Sequence, residues 1–124
     1  MGEEAPNLLR YSPKRTVRFL VNADGRITLL TPKFKSAFLR RKLLPRMKRP
    51  YFRINLDEYG SWVWNQIDGR KTVMEIGEAM RNRFGQEAEP VYPRLGLFIN
   101  HLARQKLISL GTGHTVSAVG GNDD

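Results

Sequence analysis

Cysteine is absent from the 124-residue chain, and only two histidines are present. Without cysteine, the protein has no disulfide framework, no thiolate nucleophile and no thiolate metal site. His101 and His114 are well separated in the sequence, which argues against a histidine-rich metal centre. We therefore expect neither a metal nor a cofactor.

Long apolar runs are missing as well. No stretch reaches the roughly 18 apolar residues that a membrane-spanning helix needs, and residues 1–6 do not resemble a secretory signal. The chain has the apolar, aromatic and charged fractions of an ordinary globular protein. We therefore expect a cytoplasmic protein without a membrane span.

The common motifs of catalytic and phosphate-binding sites are also lacking. The sequence contains no glycine-rich phosphate loop, no His-Glu-x-x-His and no Gly-x-Ser-x-Gly. Asp57 and Glu58 are adjacent carboxylates, but they fit the first turn of a helix, whose dipole they stabilise. We therefore expect a protein that is not an enzyme.

Positive charge is abundant and unevenly placed. The net charge is +9, and residues 1–56 contain fourteen Lys and Arg against three acids, whereas residues 57–124 contain seven against nine. Nine basic residues and no acid lie between Lys33 and Arg53. Such a segment attracts nucleic acid, anionic lipid or an acidic partner, or forms a solvated surface.

The first half of the chain predicts a hairpin and a basic helix. Residues 1–15 are polar and are predicted to be a flexible leader. Two apolar runs between Thr16 and Thr31 flank Asn22-Ala23-Asp24-Gly25, which is typical of a β-hairpin. Thr31 and Pro32 are then predicted to be the N-cap and first residue of a helix that ends before Pro45.

That helix lies in a basic insert, residues 33–50. Its apolar side chains recur at helical spacing and are Phe34, Phe38, Leu39 and Leu43. We expect this stripe to pack on its own domain or on a second copy of the chain, and a membrane surface is the alternative.

A strand and three helices are predicted after the insert. In the strand Tyr51–Leu56, alternation places Phe52, Ile54 and Leu56 on the core face. Asp57 is the predicted N-cap of a helix that runs to about Asp68 and closes at Gly69. Its buried stripe is predicted to be Gly60, Val63, Trp64 and Ile67.

The boundaries of the next two helices are predicted from capping residues, glycine and proline. Thr72 and Glu75 have the spacing of a capping box, and Gly85 is the predicted stop. The predicted core face between them is Val73, Ile76, Met80 and Phe84. The last helix begins between Pro90 and Pro93 and runs to about Lys106, with Val91, Leu95, Phe98 and Leu102 buried.

These elements predict an α+β fold of winged-helix type, in which a three-stranded antiparallel sheet packs on three helices. The basic helical insert lies between the second and third strands. The domain is expected to span residues 16–110, followed by a disordered tail over residues 111–124 that is rich in Gly, Ser and Thr.

Several motifs occur in a characteristic order between Phe52 and Leu110. An apolar strand is followed by Leu-Asp-Glu-x-Gly (56–60), Val-Trp (63–64), Asp-Gly (68–69), Thr-Val-x-Glu-Ile (72–76) and a closing apolar helix. In this order the chain resembles the PqqD family, which comprises coenzyme PQQ synthesis protein D and its relatives. The resemblance covers about half of the chain, and the hairpin extends it to roughly two thirds.

The resemblance implies a non-catalytic module that recognises a precursor peptide. Family members bind the leader of a ribosomally made peptide and act as a chaperone that presents it to a modifying enzyme, which is a radical SAM enzyme in PQQ synthesis. The leader adds as a strand beside the third strand and lies along the last helix. In this sequence those elements correspond to residues 51–56 and 91–106.

The expected peptide-binding residues are therefore on two elements. On the strand they are Tyr51, Phe52, Arg53, Ile54 and Asn55. On the last helix, Arg94, Leu97, His101 and Arg104 recur at spacings of 3, 4 and 3 and form a second stripe beside the buried one. Arginines there and at Arg53 suit a leader with Asp or Glu, and Leu97 suits an apolar anchor. An ordinary polar outer face is the alternative.

The sequence is also compatible with other functions. The main alternative is a winged-helix protein that binds nucleic acid, although residues 57–124, which include the reading helix of such a protein, have a net charge of −2. A structural adaptor and a homodimer are further alternatives. The sequence does not identify the precursor peptide or the partner enzyme.

Overall fold

The computed structural model describes residues 7–33 and 36–111. The chain divides into two compact units, Val17–Trp62 and Met1–Thr16 together with Val63–Asp124. Within the described ranges, five strands and four α-helices follow one another as β1 (Lys14–Arg15), β2 (Arg18–Val21), β3 (Ile27–Pro32), α1 (Ala37–Leu43), β4 (Tyr51–Asn55), α2 (Glu58–Gln66), α3 (Val73–Phe84), α4 (Val91–Arg104) and β5 (Ile108–Ser109).

The unit Val17–Trp62 contains a three-stranded antiparallel sheet with the order β2, β3, β4. The predicted hairpin is confirmed, since β2 and β3 pair across the turn. In that turn the Asn22 N–H donates to the Arg26 carbonyl at 2.8 Å, and the Gly25 N–H donates to the Asn22 carbonyl at 2.9 Å. Gly25 has φ of +87°, which glycine adopts without a Cβ clash. The mixed helix and sheet content agrees with the predicted α+β class.

The strand β3 is longer than the sequence predicts. Thr31 and Pro32 pair with Phe52 and Tyr51 of β4, so both residues are extended. The predicted helix start at these two residues is wrong. The ladder even continues past β3, because the Lys33 N–H donates to the Pro50 carbonyl at 3.1 Å. Hydrogen bonding to β4 outweighs the local preference of Thr-Pro for a helix N-terminus.

The helix of the basic insert begins later, at Ala37. Its N-cap is Ser36, whose Oγ accepts a hydrogen bond from the Leu39 N–H at 3.4 Å. Phe38 is 59% exposed, and Leu39 and Leu43 are each 38% exposed. Phe38 is therefore mostly uncovered by its own domain, contrary to the first of the two predicted arrangements, whereas Leu39 and Leu43 are partly covered. Packing on a second copy stays a prediction. Phe34 lies outside the described residues.

The helix α2 crosses the division between the units, which falls between Trp62 and Val63. Asp57 Oδ1 accepts a hydrogen bond from the Gly60 N–H at 2.7 Å, as expected near a helix N-terminus. The predicted stripe is confirmed, since Gly60, Val63, Trp64 and Ile67 are all buried. The helix ends at Gln66, two residues before the predicted end.

The helices α3 and α4 supply much of the apolar interior of the other unit. The capping box of α3 is confirmed: the Glu75 N–H donates to Thr72 Oγ1 at 3.1 Å, and the Thr72 N–H donates to Glu75 Oε1 at 2.9 Å. Gly85 ends the helix at φ of +64°. The predicted core face of α3 is buried except at its last residue, Phe84, which is half-buried.

The buried face of α4 differs from the predicted one at a single position. Its buried residues are Val91, Leu95, Ile99 and Leu102. Phe98, which the sequence assigns to the core, is half-buried. A helix has 3.6 residues per turn, so a step of three or of four from Leu95 stays on the same face. The first step reaches Phe98 and the second reaches Ile99, and periodicity does not distinguish them. The helix begins at Val91, inside the predicted interval between Pro90 and Pro93.

Residues 7–15 are ordered, in contrast to the flexible leader predicted for residues 1–15. Leu8–Arg10 form a short 3-10 helix, and β1 pairs with β5. The Tyr11 carbonyl accepts from the Val73 N–H and the Pro13 carbonyl accepts from the Gly69 N–H, both at 2.9 Å. Residues 1–6 and most of the predicted tail, residues 112–124, lie outside the described residues.

Candidate functional site

The outer edge of β4 is the edge at which the described part of the chain supplies no neighbouring strand. The Leu56 N–H donates to the Ile27 carbonyl of the β3 side at 2.9 Å. Backbone groups in a strand alternate in direction, so those of Phe52 and Ile54 also face β3, and those of Tyr51, Arg53 and Asn55 face away. Among the described residues, no strand pairs with β4 on that outer side. The predicted strand is thus an edge strand.

The side chains of β4 are more exposed than alternation predicts. Phe52 is 56% exposed, so its predicted place in the core is wrong. It lies opposite Thr31, two positions beyond the buried Leu29, near the end of the sheet. Ile54, opposite Leu29, is half-buried. An exposed aromatic ring beside an open strand edge is a candidate contact for a bound segment.

The remaining side chains of β4 lie on the other face of the sheet. Tyr51 is half-buried, and Arg53 and Asn55 are exposed. Asn55 Oδ1 accepts a hydrogen bond from Thr28 Oγ1 at 2.8 Å, and Thr28 Oγ1 accepts one from Asn22 Nδ2 at 2.9 Å. Thr28 is only 3% exposed. The Asn55 side chain therefore stabilises the register of the sheet, and its backbone is the part that faces outward.

A cleft opens at the Tyr51 end of the strand. Its volume is about 650 Å³, and it is lined by Leu30, Lys33, Lys48, Arg49, Pro50, Tyr51, Phe52 and Arg53. The Lys33 ammonium lies 5.2 Å from the centroid of the Phe52 ring, within range for a cation–π contact. The positive charge of the insert is evident from the sequence. The proximity of Lys33 to residues 48–53 is not, because it results from the pairing of β3 with β4.

The second predicted surface is a stripe on α4 in the other unit. Arg94, Leu97, His101 and Arg104 share one face of the continuous helix and are all exposed. Leu97, at 71%, is the most exposed large apolar residue in the part of the chain that the structure describes. Arg94 Nη1 donates to the Glu87 carbonyl at 2.8 Å, so this guanidinium also anchors the segment before α4. The prediction that this stripe and β4 share one groove stays a prediction.

Shifted pKa values occur at structural ion pairs around α3. The pKa of Asp68 is lowered to about 2, mainly by hydrogen bonds from the backbone N–H groups of Lys71 and Arg70. The hydrogen bond from Arg81 at 2.9 Å lowers the pKa of Glu89. Both pKa shifts are caused by hydrogen bonds that stabilise a turn or a helix end. They therefore indicate a structural role for Asp68 and Glu89.

The described ranges show neither a metal-binding cluster nor a membrane-spanning helix. Residues 7–33 and 36–111 hold no group of three or more His, Asp or Glu that could bind a metal ion. The same ranges include no helix that is both long and apolar enough to cross a membrane.

The fold and these surfaces define a small α+β protein whose sheet leaves one strand edge open. Residues 51–108, from β4 into β5, match the family model described as coenzyme PQQ synthesis protein D (PqqD). This match over residues 51–108 supports a PqqD-like protein, as the motifs indicate, and a role related to PQQ biosynthesis. No curated protein and no solved structure matches the chain significantly.

Proposed function

We propose that this protein is a non-catalytic module that binds the leader segment of a ribosomally made precursor peptide. It presents that peptide to a modifying enzyme of the radical SAM type. The observation that carries the proposal is the open outer edge of β4, with the exposed Phe52 beside it. The PqqD match over the same strand supports it, since proteins of that family are accessory rather than catalytic.

The edge offers affinity through the backbone. Tyr51, Arg53 and Asn55 each turn an N–H and a carbonyl toward the open side, as the β3 ladder requires. An extended peptide pairs with these groups as an additional strand, and the side chains next to it supply specificity. The leader is thereby held extended along the edge of β4, and the rest of the precursor peptide stays available to the modifying enzyme.

The stripe on α4, in the other unit, is proposed as a second contact for the leader. Leu97 offers an apolar contact that is 71% exposed, and Arg104 offers an exposed cation. A leader with an apolar residue and a carboxylate suits this pair. His101 lies between them on the same face.

Nucleic-acid binding through α4 is less well supported. A reading helix needs several cations directed at phosphates and base edges. The exposed stripe of α4 carries two arginines, and Arg94 already donates to the Glu87 carbonyl at 2.8 Å. The apolar Leu97 occupies the middle of the stripe. This composition favours a peptide.

The test is a backbone-amide NMR titration of the labelled full chain. The probe is the leader peptide encoded by the short open reading frame nearest to the gene. We expect shifts concentrated at Tyr51–Asn55 and at Arg94–Arg104. The absence of shifts at β4 in a folded sample would contradict the proposal.

A proline variant tests strand addition directly. Arg53→Pro removes an N–H that faces outward, so the β3 ladder stays intact and an edge strand tolerates the change. Arg53→Ala is the matched control, because it removes the same charge and keeps the N–H. We expect peptide affinity to fall at least about tenfold further in Arg53→Pro than in Arg53→Ala, since a hydrogen bond is lost and the ring obstructs pairing. Equal affinities would contradict strand addition.

A further inference from the structure

We infer that the cleft beside β4 selects peptides that carry carboxylate side chains, so that the substrate class is an acidic peptide. This inference rests on the proposed function, because it concerns a peptide that adds to β4. It assigns a task to the basic insert, which lies before the matched residues 51–108.

The lining of the cleft is strongly cationic. Of its eight described residues, four are cations (Lys33, Lys48, Arg49 and Arg53) and none is acidic. Like charges gathered in one concave site repel one another, and an anion that enters relieves this repulsion. The site is therefore electrostatically complementary to carboxylates.

The insert brings three of these cations to the strand. Lys33 follows β3, while Lys48 and Arg49 precede β4, and the Lys33 N–H hydrogen bond to the Pro50 carbonyl at 3.1 Å joins the two segments. The only lining cation inside the matched residues is Arg53. The preference for acid thus belongs to this chain's own insert rather than to the part it shares with the PqqD family.

The position of the cleft favours a peptide as the occupant. Tyr51 and Arg53 both line the cleft and turn their backbone groups to the open edge. A peptide paired with that edge therefore passes the cleft. Since alternate residues of a strand point to the same face, we expect two carboxylates separated by one residue, opposite the Tyr51 end of β4.

The size of the cleft agrees with this occupant. Its volume of about 650 Å³ lies within the range of about 300–1,000 Å³ that is usual for pockets holding small ligands. The aromatic rings of Tyr51 and Phe52 and the side chains of Leu30 and Pro50 complete the lining. They suit the methylene groups of Glu and neighbouring apolar residues.

The test is a selection of peptides on the immobilised full chain. The probe is a display library of random peptides of about ten residues, the length of a long strand. We expect selected peptides to carry Asp or Glu at alternate positions. Replacing those acids by Asn or Gln is expected to lower affinity about tenfold at low ionic strength, and less at high salt.

Two charge-reversal variants locate the effect. Lys48→Glu/Arg49→Glu changes the cleft, and Arg41→Glu/Arg46→Glu is the control, because it changes net charge equally at exposed residues of the same insert outside the lining. We expect the preference for acidic peptides to disappear only in the first variant. An equal loss in both would attribute it to overall charge and overturn the inference.

The failures of the two proposals are distinguishable. Selected peptides that shift the amides of β4 but carry no excess of acids would overturn the cleft inference and leave strand addition standing. No selection at all would contradict both. A DNA duplex that shifts the Lys48 and Arg49 amides and displaces an acidic peptide would reassign the cleft to nucleic acid and overturn the inference.

Discussion

The two units of the chain differ in charge and in what they bury. Residues 17–62 contain eleven Lys and Arg against three acids, a net charge of +8, whereas the other unit contains ten against nine, a net charge of +1. Of the twelve largest fully buried side chains, only Ile27 and Leu29 belong to residues 17–62. Most apolar burial is thus in one unit and nearly all excess charge in the other, which also contains the proposed peptide-binding edge of β4.

The positive charge beside the open edge of β4 also protects that edge from pairing with other copies of the chain. An exposed edge also invites pairing with other copies of the same chain, and natural proteins counter this with charged residues. Arg53 and the cations of the cleft lie beside the β4 edge. The same charge that disfavours edge-to-edge pairing of two copies is the basis of the proposed preference for an acidic peptide.

The largest expected effect tests the assignment of stability to the helical unit. Trp64 is fully buried in that unit, whereas Phe52 is 56% exposed in the other. We expect Trp64→Ala to lower the free energy of unfolding by about 3–5 kcal/mol, through lost burial and a cavity. Phe52→Ala is expected to lower it by less than about 1 kcal/mol. Urea denaturation of both variants is the measurement, and equal losses would break the comparison.

An intermediate effect tests whether recognition extends to the helical unit. We expect Arg94→Glu/Arg104→Glu to weaken binding of the leader peptide about tenfold, since two exposed cations become repulsive to its acids. The melting temperature monitors the fold, because Arg94 also donates to the Glu87 carbonyl. Arg83→Glu/Lys106→Glu has the same charge change at exposed residues outside the stripe. Isothermal titration calorimetry that gives equal affinities for both variants would confine recognition to residues 17–62.

The smallest expected effect is a loss of folding stability at low pH. In the folded protein the pKa of Asp68 is about 2, below its ordinary value of 3.8. The stabilisation from this carboxylate is therefore complete above about pH 4 and is lost as the pH falls through 2. After allowance for solvent exposure we expect about 1 kcal/mol. Thermal unfolding between these pH values should show a smaller decline in Asp68→Asn than in the wild type, and parallel curves would refute the assignment.

Much of the fold could be predicted because its signals are local. The turn at Asn22–Gly25 and the capping box of Thr72 and Glu75 involve residues at most a few positions apart, so their chemistry is legible in the sequence. The stripe of α2 was predictable from periodicity. The two exposed arginines and Leu97 on α4 were predictable in the same way, because a continuous helix determines which residues share a face.

Other features required partners that are distant in the sequence. Phe98 and Ile99 both fit an apolar face of α4, and only packing buries Ile99 fully. Phe52 alternates correctly for the core, yet it lies beyond the buried part of the sheet. The cationic cleft depends on residues 33 and 48–53 meeting, which charge counts along the chain do not reveal.

The sequence by itself determined the hairpin, the helices α2, α3 and α4, the capping box of α3 and the excess charge of the first half, because these follow from residue type and short-range spacing. The tertiary structure alone decided where strands end and that Phe38 and Phe52 are exposed. Thr31 and Pro32 are extended because β4 pairs with them, and residues 14–15 form a strand because residues 108–109 lie beside them. Hydrogen bonds between strands that are distant in the sequence form only when the chain folds, so no local sequence pattern reveals them. In these two segments they outweigh the local conformational propensity.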